Sequence, residues 1–205
     1  MSIIFLYAYF SAINKNYFLI ILGPPAVGKM TIGQEIAKET GFVLFHNHLV
    51  IEALLPLFEF KSDSFKMLQA EFRTRIFETF ISSHTKGVVF TMVMNYTSEK
   101  GIQDLKRWID LFEQHAYEIV VVELLSDLAT RMKRNTTHNR LKHKASKRNI
   151  AYSTNILLQN EKEWSMVSPE GFFTRYRWLK LDNNQMAANE AANVIINYFN
   201  LPHPP

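Results

Sequence analysis

Nine consecutive residues carry the clearest chemistry in this chain: Gly23-Pro24-Pro25-Ala26-Val27-Gly28-Lys29-Met30-Thr31. Gly23 and Gly28 permit backbone conformations that turn successive N–H groups inward. Those N–H groups, with the N-terminus of a helix that follows, form a cradle for phosphate oxygens. Lys29 brings a mobile positive charge to the β- and γ-phosphates of a nucleotide. Thr31 is close enough to touch a phosphate. The surroundings are those a phosphate loop requires, with an apolar strand before it and a helical pattern after it.

One position departs from the usual arrangement. Met30 stands where Ser or Thr commonly offers a hydroxyl to magnesium, and a thioether does not ligate that hard ion. Thr31 lies ~100° further round a helix, so it does not simply replace that hydroxyl. The third apolar run reads VVFTMVMNY and holds no aspartate. Magnesium is expected with a nucleotide, but its protein ligand is not identifiable.

A second tier of residues lies further along. His46 and His48 follow the second apolar run, at the sheet edge where ligands sit in open α/β folds. They read as acceptor-binding groups or as a general base for a hydroxyl. Loop hydrogen bonding and helix capping are an equal alternative. Two histidines two apart form no closed metal site. Asn47 orients a substrate or caps a helix, and Glu52, one turn beyond His48, is a carboxylate in reserve. Arg73 and Arg75 are about 200° apart on one helix and do not face the same ligand. Arg73 is the candidate for substrate, against a solvated face with Glu71 and Glu78 nearby. Arg131 and Arg134 are three apart and share a helical face. In a phosphotransferase, an arginine on that face would stabilise charge in the transition state.

These residues need elements to position them. Tyr17–Leu22, Phe42–Phe45, Val88–Met94, Glu118–Leu125 and Tyr176–Leu181 read as five strands. Helical spacing covers Met30–Thr40, Leu49–Phe60 with a break at Pro56, Ser62–Thr85, Ser98–His115, Tyr152–Trp164 and Gln185–Phe199. On the third of these, Phe65, Leu68, Phe72, Ile76 and Phe80 form the expected apolar stripe. Gly87 is expected to end that helix. Central strands are continuously apolar, and strands alternate with helices. The pattern predicts a parallel sheet with helices on both faces.

Charge is unevenly distributed. The net charge is +4, yet residues 131–148 hold eight Lys/Arg and no acid. Outside that segment fifteen basic residues face nineteen acidic ones. The basic segment therefore meets something anionic. It reads as a small lid over about 131–151, as a nucleic-acid patch, or as a solvated loop. No aromatic side chain is interleaved between Arg131 and Arg148, which disfavours base stacking.

The absence of cysteine excludes disulfides, thiolate metal sites and cysteine nucleophiles, and fits a cytoplasmic setting. Residues 1–16 form an apolar extension too short to span a membrane and lacking a basic start. Residues 17–200 form one domain, and 201–205 a tail.

The run Gly28-Lys29-Met30-Thr31-Ile32-Gly33…Ile36-Ala37…Gly41 resembles the G-K-S-T-I/V-G-x-x-L/I-A pattern of shikimate kinases. Gly23-Pro24-Pro25 with Gly28-Lys29 and Thr31 resembles adenylate kinases, which also lack the first hydroxyl. Phe45-His46-Asn47-His48 is similar to uncharacterised shikimate-kinase-like ATPases. The chain thus resembles the small P-loop kinases of the shikimate kinase and nucleoside-monophosphate-kinase group. The resemblance is dense over about residues 17–48 and architectural beyond. It departs from shikimate kinase itself, whose aspartate pair after the second strand is replaced here by His46-Asn47-His48.

The resemblance implies a P-loop NTPase fold and an ATP-dependent phosphotransferase acting on a small acceptor. Arg131 and Arg134 would then be lid arginines, and Asp182–Asn184 would lie against the adenine. Two alternatives stay open: a nucleotide-binding sensor with little turnover, and an RNA-associated P-loop protein.

Overall fold

A computed structural model describes residues 15–204, so nearly all of the apolar extension lies outside the described residues. Five strands, β1 (Asn16–Leu22), β2 (Val43–His46), β3 (Gly87–Thr91), β4 (Tyr117–Leu125) and β5 (Arg177–Asp182), form one sheet. Their order is β2-β3-β1-β4-β5, and every pairing is parallel. This is the expected five-stranded parallel α/β fold. The central strands are buried along nearly their whole length, as their unbroken apolar runs require. Edge strand β5 is not, since Arg177 and Lys180 interrupt it.

Among the described residues eight α-helices connect and cover the sheet: α1 (Lys29–Thr40), α2 (His48–Leu54), α3 (Asp63–Ser82), α4 (Glu99–Glu113), α5 (Leu128–Arg134), α6 (His138–His143), α7 (Ile150–Glu163) and α8 (Ala188–Phe199). Alternation along β1 splits the core in two. Phe18, Ile20 and Leu22 face α2, α3 and α4, where Phe45, Phe77, Phe90, Trp108 and Phe112 form an aromatic cluster. The Phe18 and Phe112 rings stack 3.8 Å apart. Tyr17, Leu19 and Ile21 face α1 and α8.

Polar caps set several helix starts. Ser62 Oγ accepts from Phe65 N, Ser98 Oγ from Gly101 N, and an Asp127 carboxylate oxygen from Thr130 N.

Three sequence expectations are corrected. Helix α3 ends at Ser82, and Gly87 begins β3 instead of ending the helix. A side chain at Gly87 would meet the Phe42 ring at 2.1 Å, so the close approach of Phe42 explains the glycine. Phe72 is exposed, whereas Phe77 is fully buried. The inward face of the second half of α3 runs through Phe77 and Phe80. At ~100° per residue, that face includes Arg73 and turns Phe72 outward. Leu201, expected in a tail, is buried against the α1–α8 core, with its N–H donating to Ile196 O.

Candidate functional site

The loop after β1 is shaped by left-handed backbone. Gly23 has φ 135°, and a Cβ there would lie 2.5 Å from Leu124 O. Gly28 has φ 112° and precedes α1 directly. The first turn of α1 therefore presents free N–H groups to the loop. Lys29 Nζ donates to Gly23 O at 2.6 Å and Pro24 O at 2.7 Å. Burial pushes the Lys29 ammonium well below its ordinary pKa, and the charges of Lys144, Arg140 and Arg131 push it further. Met30 is buried and contributes packing, not ligation.

The basic segment closes over this loop. It comprises α5, α6 and a 3-10 turn at Ala145–Lys147. Asn139 Nδ2 donates to Thr31 Oγ1 at 3.1 Å and to Gln34 Oε1 at 2.8 Å, which docks α6 on α1. The two arginines expected to act together part company. Arg131 is only 2% exposed. It donates to Glu161 Oε2 at 2.6 Å and to Ser126 O at 3.1 Å, and it lines neither cavity beside Lys29. Its acidic and carbonyl partners on α7 and the β4–α5 turn draw it away from the loop. Arg134 faces the loop, donating to Val27 O at 3.0 Å and Asn183 O at 2.8 Å. Asn183 Nδ2 also donates to Val27 O, at 2.8 Å.

Two cavities meet at the loop. The first, about 320 Å³, is bounded by Gly28, Thr31, Arg134, Asn139, Asn183 and Met186. The second, about 390 Å³, is bounded by Asn47, His48, Phe65, Arg73, Ile156 and Trp164. Ala26, Lys29, Arg140 and Lys144 line both. Arg140 Nε is buried without a partner, and burial lowers its pKa to about 10. Burial, then the charges of Arg140 and Lys147, bring Lys144 down to about 7. Among the described residues neither Arg140 nor Lys144 is in a salt bridge. Closely spaced cations without a counter-charge are a receptor for a polyanion.

The two histidines also separate. His46 is buried, its Nδ1 has no partner, and it does not line the second cavity. Burial, together with Lys144 and His143, lowers it to about 4. Its proposed contact with an acceptor is therefore not supported by its place under the cavity wall. His48 does line the cavity, and its Nδ1 lies 3.0 Å from Glu52 Oε1. Burial holds His48 below its ordinary pKa and so neutral, with Lys144 and Lys147 acting in the same direction.

Arg73 reaches the same cavity and donates to Asn47 Oδ1, with its guanidinium 5.6 Å from the centre of the Trp108 ring. Asn47 thus holds Arg73 and does not cap α2. Arg75 pairs with Glu78 at 3.1 Å on the surface.

The hydroxyl nearest the loop, Thr31 Oγ1, is engaged by Asn139, and no group of three His, Asp or Glu side chains occurs among the described residues, so magnesium would be held mainly by the phosphates and water. The one fully buried carboxylate among the described residues, Glu123, is bound by Tyr96 Oη, Ser168 N and Oγ, and Lys180 Nζ. It anchors the segment before β5.

Sequence reasoning missed Arg140, Lys144 and Lys147 as individual groups. The four-residue spacing of Arg140 and Lys144 was a visible sign that they share a face. No helix among the described residues is long and apolar enough to cross a membrane.

No protein-family profile and no curated protein sequence matches the chain. Solved structures do. A sugar kinase from Janibacter sp. HTCC2649 is 12% identical, with a TM-score of 0.57, covering 91% of this chain and 95% of that one. The APS kinase CysC of Mycobacterium tuberculosis, solved with AMPPNP and APS, is 10% identical, with a TM-score of 0.56 and coverage of 91% and 98%. The tunicamycin resistance protein of Deinococcus radiodurans is 13% identical, with a TM-score of 0.53 and coverage of 93% and 99%. At such identities the likeness is one of fold, and the chain has the fold of the P-loop kinases.

Proposed function

We propose that this protein is an ATP-dependent phosphotransferase that moves the γ-phosphate of ATP to the hydroxyl of a small acceptor. The observation that supports this reading is the junction of two cavities on one set of cations, Lys29, Arg140 and Lys144. A nucleotide occupies the first cavity, with its phosphates on the loop N–H groups and its base toward Asn183 and Met186. The acceptor occupies the second. Transfer then takes place where Lys29, Arg140 and Lys144 converge, and their charges stabilise the equatorial oxygens of the transferring group. His48 receives the acceptor's proton. Arg134 holds the loop against the β5–α8 turn instead of touching the transferring phosphate.

The lining of the second cavity points to an acceptor class. It contains no Asp or Glu, carries Arg73 and Lys147, and has an apolar wall of Ile51, Leu55, Phe65, Ile156, Leu157 and Trp164. A neutral polyol would find few carboxylate acceptors there. A hydroxylated organic anion with an apolar body matches both walls.

Turning Arg140 and Lys144 inward leaves Lys133, Lys142 and Arg148 exposed on the segment, a thin basis for an RNA surface. Met30 and the lack of a magnesium donor set favour the sensor reading as the second choice. ADP release distinguishes the two, measured across a panel of aromatic hydroxy acids and their uncharged amides. Transfer predicts slow release without acceptor and stimulation by acids over amides, with the preference lost in Arg73→Gln. Bound ATP that never turns over with any compound would support a sensor.

A further inference from the structure

Glu52 joins two parts of the site that lie far apart in the chain. Its Oε1 accepts from Ser146 Oγ at 2.6 Å and lies 3.0 Å from His48 Nδ1, while its Oε2 accepts from Ser146 N at 3.0 Å. Two of these three hydrogen bonds come from the 3-10 turn of the lid, 94 residues away in sequence. The third fixes a ring beside the acceptor cavity. Burial alone would favour protonation of Glu52. The bonds from His48 and Ser146 outweigh it and keep the carboxylate ionised.

An ionised carboxylate against a neutral imidazole has one arrangement. His48 carries its proton on Nδ1 and donates it to Glu52, which leaves a lone pair on Nε2. Nε2 makes no hydrogen bond among the described residues, and the ring lines the second cavity. We infer that Glu52 is a positioning residue that makes the tautomer of His48 depend on the docked lid. With Ser146 in place, the carboxylate is held by both of its oxygens and points at Nδ1. With the lid lifted, both Ser146 bonds are lost and the carboxylate is free to turn to water.

This inference rests on the reading of His48 as the base. In that reaction the acceptor oxygen bonds to the γ-phosphorus as its proton passes to His48 Nε2. The bond from phosphorus to the β–γ bridging oxygen breaks, and ADP leaves with that electron pair. The imidazolium formed is stabilised by the ionised Glu52 carboxylate, which keeps accepting the hydrogen bond from Nδ1. A lid coupled in this way makes His48 ready only when the cations of the same segment are also in place.

The test uses the full chain without nucleotide and reads two signals. One is the His48 tautomer, from ring 15N shifts. The other is amide hydrogen exchange over residues 141–148, including the Ser146 amide. The wild type is expected to show the Nδ1–H tautomer. Glu52→Ala is expected to abolish that preference and to speed lid exchange by about tenfold or more, as loss of bonds to a charged acceptor implies. Ser146→Ala leaves one of the two lid bonds, so it is expected to weaken the Nδ1–H preference and to speed lid exchange, each by a smaller factor. A tautomer that stays fixed while lid exchange speeds up in Ser146→Ala overturns the coupling. An Nε2–H tautomer in the wild type overturns the inference, as does lid exchange unchanged in both variants. Failure of the phosphotransfer reading would appear separately, as absent ATP binding with both signals intact.

Discussion

The two ends of the basic segment treat their cations in opposite ways. At its start, Arg131 is buried on Glu161 and Ser126 O, and Arg134 spends its donors on backbone carbonyls of the loop and the β5–α8 turn. In its interior, Arg140 and Lys144 line both cavities with Lys29 and make no salt bridge among the described residues, Glu52 being the acid whose charge reaches Lys144. The first pair is structural, with its donors already taken. The second is without an ion pair and is stabilised when a polyanion arrives. A site that carries a buried, unanswered charge costs stability in the free chain and recovers it on binding.

The largest separation is expected from exchanging members of the two pairs. Arg131→Met leaves Glu161 and Ser126 O without their partner and should lower stability by about 1–2 kcal/mol, less than for a fully buried pair because Glu161 is 38% exposed. Its ATP affinity should stay near that of the wild type. Arg140→Met should do the reverse. It should raise the melting temperature of the free chain and weaken ATP binding by about 100-fold, the scale of one lost charge-assisted contact to phosphate. Melting curves and calorimetry on both variants check this. Equal effects of the two substitutions on ATP binding would erase the distinction drawn above.

A smaller effect is expected from pH. Lys144 is held at about 7, below the ordinary lysine value of 10.5. The unfolded chain therefore binds more protons at this group between about pH 7 and 10.5, and its contribution to stability rises with pH across that window. Phosphate in the cavities favours the charged form and raises this pKa. ATP binding at pH 8 should therefore take up a proton, and calorimetry in two buffers of different ionisation heat would detect it. Binding heats that ignore the buffer would show that Lys144 does not meet the phosphates.

What was legible in the sequence divides along a related line. The phosphate loop is written in nine consecutive residues, and backbone geometry alone explains Gly23 and Gly28. The sheet was legible because β1, β3 and β4 are unbroken apolar runs. The lid was legible as a charge anomaly but not as a geometry. Whether Arg131 or Arg140 reaches the loop depends on Glu161 and on the docking of Asn139 against Thr31 and Gln34, contacts 30 and more than 100 residues apart. Arg73 faces the cavity because it shares the inward side of α3 with Phe77, while Phe72 turns outward. His46 and His48 looked equivalent in sequence. The end of β2 buries one beneath the cavity wall, and the start of α2 turns the other into the cavity.

The central claim is that the loop and the inward cations hold the phosphates of a nucleotide. Calorimetric titration of ATP tests it most directly, with and without magnesium, on the wild type and on Lys29→Ala. The account predicts saturable binding by the wild type and a loss of about 100-fold or more in the variant. No binding by the wild type, or equal binding by both, would contradict it and leave the loop a scaffold without its nucleotide.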